Sequence, residues 1–293
     1  MTTIEYSSEF ICKRIASIDF EKASKPLIVG VSGPQGSGKS YLADKLPTNL
    51  KDKFPSLNII QFSMDDLYFT RYHQQKITEE AIRTENKLLQ GRGLPGTHDL
   101  LLILRVFEQL IGNYSDKSHW KPVEIPVYDK SAYNGLGERA DKSQWQIVDI
   151  PADVIIFEGW FNGFLSLDPD QLRVAYFTSK IDGILQMNPY YHIEEINRAL
   201  KEYRKIWKYF DDFIILHTNS IENVYTWRLQ QEQNLIEQKG TGMTENEVKQ
   251  FVDRYMPMYV LYYERLCESG LPNCPTLILS IDLTRKVIST RQV

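Results

Sequence analysis

The chain contains few cysteines, three in 293 residues, at Cys12, Cys267 and Cys274. Their number is odd and their spacing matches no metal-binding pattern. A disulfide framework and a cysteine-bound metal are therefore not expected. We predict free thiols in a reducing compartment.

Long apolar runs and a strong excess of one charge are also missing. No stretch approaches the about 18 apolar residues that a membrane span requires. The first residues mix Glu5 and Glu9 with Lys13 and Arg14, which fits neither a signal peptide nor a transit peptide. The 38 acidic and 34 basic side chains leave a net charge of −4. We expect a cytoplasmic protein whose partners include neither nucleic acid nor membrane.

A complete Gly-x-x-x-x-Gly-Lys-[Ser/Thr] motif is present. It consists of Gly33, Pro34, Gln35, Gly36, Ser37, Gly38, Lys39 and Ser40. The motif follows the apolar, β-branched run 27–32, which predicts the strand–loop–helix context that it needs. Glycines let successive backbone N–H groups surround phosphate oxygens, and the following helix adds the positive end of its dipole. We expect Lys39 to reach the β- and γ-phosphates and the Ser40 hydroxyl to bind Mg²⁺. The motif predicts nucleoside triphosphate binding.

Five apolar runs predict buried strands that alternate with helices. They are 27–32, 58–63, 153–159, 213–217 and 276–281. This alternation is typical of an α/β protein with a parallel sheet flanked by helices. The predicted fold class is therefore a P-loop NTPase fold with a five-stranded parallel sheet. Ligands of such sheets bind beyond the carboxyl ends of the strands, where Gly33, Asp65 and Glu158 fall.

The length fits one large domain, 1–293, with three specialised segments. Residues 1–25 are predicted to form a helical lead-in. Residues 112–145 are polar and aromatic with little periodicity, and we interpret them as an insertion on the acceptor side, as a β-hairpin or lid. Residues 225–257 are rich in Gln, Glu and Lys and are the predicted lid region.

Acidic residues follow the second and third predicted strands. A carboxylate of Asp65 or Asp66 can orient an attacking hydroxyl or accept its proton, although aspartate also caps helices and turns. Glu158 ends an apolar run, where an acid can orient Mg²⁺ or its water shell. The alternative for Glu158 is a buried salt bridge.

Basic residues elsewhere supply further candidates. Arg228, in the lid region, can neutralise charge on a transferring phosphoryl group; the alternative is a solvated helix without a specific role. The loop 91–99, with Arg92 and His98, and the run 126–131, with Tyr128, carry donors and cations for a small polar acceptor. Asp99 reads as a helix cap.

These segments resemble the P-loop kinase superfamily of phosphoribulokinase, uridine kinase and bacterial pantothenate kinase, and more closely the D-glycerate 3-kinase family of plants and fungi. The resemblance lies in 33–40, 63–68, 91–99, 157–160, 227–230 and 251–257. It implies ATP as the phosphoryl donor, Asp65 as the catalytic base, Glu158 near the metal, and a lid that carries Arg228. It also implies that Tyr68, Tyr128 and the loop from Arg92 through His98 to Asp99 face the acceptor. It leaves the acceptor open, with D-glycerate as a candidate.

The sequence therefore predicts an ATP- and Mg²⁺-dependent kinase that phosphorylates a hydroxyl of a small molecule. One alternative is an ATPase switch without a small-molecule acceptor, and another is an inactive nucleotide-binding scaffold. A G protein is not expected, because Asn86-Lys87 is followed by two leucines rather than completing a guanine-binding motif. Intact Lys39, Ser40, Asp65 and Glu158 argue against an inactive scaffold.

Overall fold

The computed structural model describes residues 1–179, 183–240 and 242–293. Thr241, inside the predicted lid region, lies outside the described residues. In the described ranges no helix combines the length and apolar character needed to cross a bilayer.

The helices, in chain order, are α1 (Thr3–Ile15), α2 (Lys39–Lys53), α3 (Arg71–Arg83), α4 (Leu100–Tyr114), α5 (Pro169–Thr178), α6 (Tyr190–Trp207), α7 (Asn223–Lys239), α8 (Glu245–Asp253), α9 (Met256–Met258) and α10 (Glu264–Ser269). The strands are β1 (Leu27–Ser32), β2 (Ile59–Ser63), β3 (Val123–Ile125), β4 (Tyr128–Asp129), β5 (Glu138–Arg139), β6 (Gln146–Val148), β7 (Val154–Glu158), β8 (Asp212–Thr218), β9 (Thr276–Ile281) and β10 (Val287–Gln292). A π-helical turn, Tyr259–Tyr263, joins α9 to α10.

Six strands within the described residues form the central sheet, in the order β10-β9-β8-β1-β7-β2. The five predicted strands are present and parallel, which confirms the predicted α/β fold. The sixth strand, β10, was not predicted and pairs antiparallel with β9 at the edge. The register places Glu158 beside Val31 on one side and beside Ser63 on the other. The carboxyl ends of β1, β7 and β2 therefore meet at one point.

Side chains alternate between the two faces of the sheet, as the period of two in a strand requires. One face carries Ile28, Ile155 and Phe157 and packs against α4 and α6. The other carries Val29, Val31 and Ile156 and packs against α1 and α2. Burial on both faces explains why these strands read as continuous apolar runs.

Two helix ends are set by packing and by backbone geometry. The helix after the phosphate loop contains Pro47 and still continues to Lys53, because buried Leu42, Leu46 and Leu50 hold it against the sheet. The helix α3 spans Arg71–Arg83. It ends before Glu85, whose φ of 57° is incompatible with a right-handed helix.

Two of the predicted segments, the helical lead-in at 1–25 and the insertion at 112–145, contain short helices and strands. Within 1–25 only Thr3–Ile15 is helical, beginning at a capping box formed by Thr2 and Glu5. Within 112–145 the chain leaves α4 and forms β3, β4 and β5. β4 pairs antiparallel with β5, and β3 pairs antiparallel with β6, which begins just after residue 145. The domain boundaries given above stay a prediction.

Candidate active site

The loop between β1 and α2 has the backbone shape of a phosphate cradle. Gly36 and Gly38 adopt φ angles of 79° and 94°, which side-chain-bearing residues rarely take. Gly38 is the N-cap of α2, so the positive end of the helix dipole faces the loop. The Trp227 side chain packs directly on Gly36: an added Cβ there would lie 2.4 Å from the Trp227 Cβ.

We expect Gly36→Ala to destabilise the fold by about 2 kcal/mol, through steric overlap and left-handed strain, and to weaken nucleotide binding. Thermal unfolding with and without ATP measures both effects. Gly112→Ala is the matched control: Gly112 lies in α4 with no atom close to an added Cβ. It is expected to gain about 0.5–1 kcal/mol. Equal stability of the two variants would contradict the role of Gly36.

Several polar groups surround the carboxylate of Glu158 at the carboxyl ends of the strands. Its Oε1 accepts hydrogen bonds from the hydroxyls of Ser40 (3.1 Å) and Ser63 (2.8 Å). Among the described residues its Oε2 has no hydrogen-bond partner although Glu158 is buried, and the Lys39 Nζ lies 3.9 Å away. Hydroxyl and carboxylate oxygens are ligands that Mg²⁺ prefers, and Mg²⁺ often takes only one or two protein ligands beside substrate phosphates. The residues predicted to bind the metal, Ser40 and Glu158, therefore fit that ion.

A denser metal cage is not found. Across the part of the chain that is described, no group of three or more His, Cys, Asp or Glu side chains could hold a metal ion.

The adjacent acids Asp65 and Asp66 have different tasks in the short 3₁₀ turn after β2. Asp66 caps the turn, because its Oδ2 accepts from the Ser63 N–H at 3.0 Å. Asp65 Oδ1 accepts from the Tyr68 hydroxyl (2.8 Å), and its Oδ2 pairs with the Lys130 Nζ (2.6 Å). Burial alone would raise the pKa of Asp65, but Lys130 outweighs it, with help from Lys39 and Tyr68, and the pKa falls to about 2. Asp65 is therefore ionised at neutral pH.

Sequence reasoning did not select Lys130, although it lies in the run 126–131. It projects from a turn in which the Asp129 Oδ1 accepts from the Ser131 N–H at 2.8 Å. The Arg92 guanidinium donates to the Lys130 carbonyl (3.2 Å) and to the carbonyls of Gly135 and Leu136. Arg92, predicted to face the acceptor, thus also organises the loop that carries Lys130.

The other predicted acceptor residues surround Tyr68. His98 is 1% exposed, stacks on the Tyr68 ring at 4.3 Å, and its Nδ1 shares a hydrogen bond with the Tyr203 hydroxyl. Burial lowers the pKa of His98 to about 3, so its ring is neutral. Asp99 caps α4 and pairs with Arg139 at 3.1 Å. Tyr128 meets the Tyr68 ring edge-on at 5.2 Å. His98 and Asp99 thus lie behind Tyr68 and support it, and of the predicted acceptor residues within the described chain Tyr68 is the one that hydrogen-bonds to Asp65.

The predicted catalytic arginine, Arg228, is held within the lid region. Its guanidinium pairs with Glu232 at 2.6 Å and lies 5.1 Å from the Phe251 ring centre. Trp227, the preceding residue, packs on Gly36, so Arg228 emerges from α7 beside the phosphate loop. The structure does not bring Arg228 to Asp65 or Glu158, and its contact with a phosphoryl group stays a prediction.

Two residues that contact the phosphate loop were missed. The Tyr259 hydroxyl accepts from the Gln35 N–H at 3.0 Å. The Arg285 Nε donates to the Gly36 carbonyl at 2.6 Å, from the connection between β9 and β10. They lie 224 and 249 residues from their partners, so no local pattern could have indicated them.

Comparison with known proteins places this geometry in a family, although no family model matches the chain. A probable ATP-dependent kinase of Saccharomyces cerevisiae, TDA10, is 38% identical over 297 residues, covering 99% of this chain and 96% of the yeast protein. The chloroplastic D-glycerate 3-kinase of Arabidopsis thaliana is 35% identical over 263 residues, and the match spans about half, 52%, of that enzyme. The solved structure of D-glycerate 3-kinase from Cryptococcus neoformans superposes with a TM-score of 0.90, at 31% identity and full coverage of both chains. The chain belongs to the glycerate kinase-like family of ATP-dependent P-loop kinases.

Proposed function

We propose that the protein transfers the γ-phosphoryl group of Mg·ATP to a hydroxyl of a small hydroxylated metabolite, with D-glycerate as the first candidate. One observation carries the proposal. Lys39, Ser40 and Glu158 meet at the carboxyl ends of β1 and β7, and the ionised Asp65 follows the neighbouring β2. A phosphate site and a base are thus side by side at one edge of the sheet.

Positive charge and backbone N–H groups at the phosphate loop support the nucleotide-binding part of the proposal. The loop N–H groups and the start of α2 favour a polyphosphate. The Lys39 ammonium, 3.9 Å from Glu158, is available for the β- and γ-phosphates because that separation is too long for a hydrogen bond. Ser40 and Glu158 would hold Mg²⁺, which would supply charge neutralisation at the transferring group.

The acceptor half depends on Asp65. The oxygen of the acceptor hydroxyl forms a bond to the γ-phosphorus while the bond from that phosphorus to the ADP oxygen breaks, and the hydroxyl proton passes to the Asp65 carboxylate. Burial and the neighbouring Asp65 charge raise the pKa of Tyr68 well above its usual value, so Tyr68 stays protonated and holds Asp65 in place. Closure of the lid region over the site would exclude water and favour transfer over hydrolysis.

The test is ADP release measured with D-glycerate, pantothenate, uridine and ribulose 5-phosphate, with the wild-type protein and the Asp65→Asn variant in parallel. Stimulation by one acceptor that disappears in the variant supports the proposal and names the acceptor. ADP release that no acceptor changes would refute transfer to this panel and would favour an ATPase switch.

A further inference from the structure

Both oxygens of the proposed base are engaged. Asp65 Oδ1 accepts from the Tyr68 hydroxyl at 2.8 Å, and Oδ2 lies 2.6 Å from the Lys130 Nζ. In the proposed mechanism the acceptor hydroxyl must hydrogen-bond to Asp65 before its proton can move. Each carboxylate oxygen can accept a second hydrogen bond, so the acceptor hydroxyl can approach, but a partner that stays on Asp65 stabilises its charge and opposes the proton transfer. Transfer is therefore favoured when one of the two present partners gives way.

Tyr68 is fixed in its place. It is 4% exposed, stacked on His98, and in edge contact with Tyr128. Its backbone carbonyl accepts from the Arg139 guanidinium, and a β-bridge links it to His98. Moving Tyr68 would disrupt several contacts at once, so Tyr68 is not the partner that leaves.

Lys130 differs because only its backbone is fixed. Arg92 and the Asp129 turn hold the main chain, whereas the Lys130 side chain is 57% exposed and has four rotatable methylene groups. The ammonium can therefore swing away from Asp65 while it stays within reach of the cleft.

A displaced ammonium needs another anion beside it. The other carboxylates that face Lys130 are Glu158 and Asp66. Glu158 already accepts from Ser40 and Ser63, and Asp66 accepts from the Ser63 N–H. A ligand group is therefore the natural new partner for Lys130.

We propose that Lys130 is the specificity residue that binds a carboxylate of the acceptor and thereby releases Asp65 Oδ2 to the acceptor's hydroxyl. The inference rests on the proposed function and narrows its substrate class to hydroxy acids with the carboxylate close to the reacting hydroxyl. A carboxylate matches the single charge of Lys130. The Arg139 guanidinium pairs with Asp99, and the Arg92 guanidinium is held by three loop carbonyls, so Lys130 is a nearby cation whose side chain can still move toward a ligand. The lowered pKa of Asp65 is consistent with this role of Lys130, because the Asp65 carboxylate regains proton affinity when the Lys130 ammonium moves away.

Matched acceptors test the proposal through turnover. D-glycerate and its uncharged amide, D-glyceramide, share the hydroxyl groups and differ in the carboxylate. We expect Lys130→Met to lower kcat/KM for D-glycerate about 10- to 100-fold, mainly through KM, and to leave D-glyceramide and the KM for ATP within about threefold. Lys142→Met is the control, since Lys142 lies in the same insertion, exposed and 3.7 Å from Glu124. An equal loss with both acceptors, or a raised KM for ATP, overturns the proposal.

Calorimetry tests it without turnover. D-glycerate is titrated into wild type, Lys130→Met, Asp65→Asn and the double variant, each with Mg²⁺ and a non-hydrolysable ATP analogue. Asp65→Asn removes the competing anion, so it is expected to tighten D-glycerate binding several-fold with Lys130 present and to have no such effect in the Lys130→Met background. A purely structural Lys130 would not give this coupling.

The two proposals can fail separately. Wild-type protein that phosphorylates no acceptor refutes the proposed function, and the calorimetry still decides the role of Lys130. Wild-type protein that binds D-glycerate and D-glyceramide equally, or binds neither, overturns that role. Unfolding temperatures of all variants exclude a loss of fold as the cause.

Discussion

Asp65→Asn is expected to lower kcat about 10³-fold and to leave the affinity for ATP nearly unchanged. The amide cannot accept the hydroxyl proton, although it is nearly the same size as the carboxylate and can still accept from Tyr68. The proposed nucleotide contacts come from the loop after β1, whereas Asp65 follows β2. The chemical step should therefore suffer without loss of nucleotide binding.

The measurement is steady-state turnover together with ATP affinity by titration. Asp66→Asn is the neighbouring control: Asp66 caps the turn by accepting from the Ser63 N–H, and an amide oxygen can accept the same hydrogen bond. We expect this control to change kcat less than about threefold. Full turnover by Asp65→Asn would show that the base has been assigned to the wrong residue.

Lys39→Ala is expected to abolish ATP-dependent transfer, with a loss of at least about 10³-fold in kcat/KM. Two effects act in the same direction. The phosphates lose their cation, and the buried Glu158 then faces them with less compensating charge, because the Lys39 Nζ at 3.9 Å is gone. ATP affinity and turnover are both expected to fall, unlike the result for Asp65→Asn.

Lys45→Ala is the control for this variant. Lys45 lies on the same helix, half exposed, and pairs with Asp44 on the surface. Its removal is expected to leave activity and ATP affinity unchanged, since such exposed pairs contribute little. Near wild-type activity of Lys39→Ala would contradict the phosphate-loop assignment.

The sheet was predictable because its parallel strands are buried on both faces. Each therefore appears in the sequence as an unbroken apolar run, and the motif at 33–40 marks the edge where ligands bind. β10 escaped prediction because it is mostly exposed and carries Ser289, Thr290, Arg291 and Gln292. Its pairing with β9 is set by tertiary contact, which no local pattern expresses.

The site was predictable only where a residue follows a strand. Asp65 and Glu158 could be selected because the carboxyl ends of parallel strands share an edge. Lys130 lies 65 residues from Asp65 in a segment without periodicity, and the turn that aims it depends on Arg92. His98 and Asp99 show a second limit of sequence reasoning. Their residue types suited a polar acceptor, but His98 is buried and Asp99 caps a helix, and neither property could be seen from residue type alone.

The pairing of β3 with β6 gives the insertion a single point of departure and return. Val123 lies opposite Val148, and the Trp120 indole donates to the Val148 carbonyl at 3.0 Å. A segment whose two ends are paired in this way can become longer or shorter at a small entropic cost and without moving the central sheet. Residues 126–145 can therefore be exchanged between related proteins as one segment. In the proposed mechanism this stretch carries Lys130 and the phosphate-loop groups lie elsewhere in the fold, so a transplant of the stretch is expected to change which molecule receives the phosphoryl group and to leave ATP binding in place.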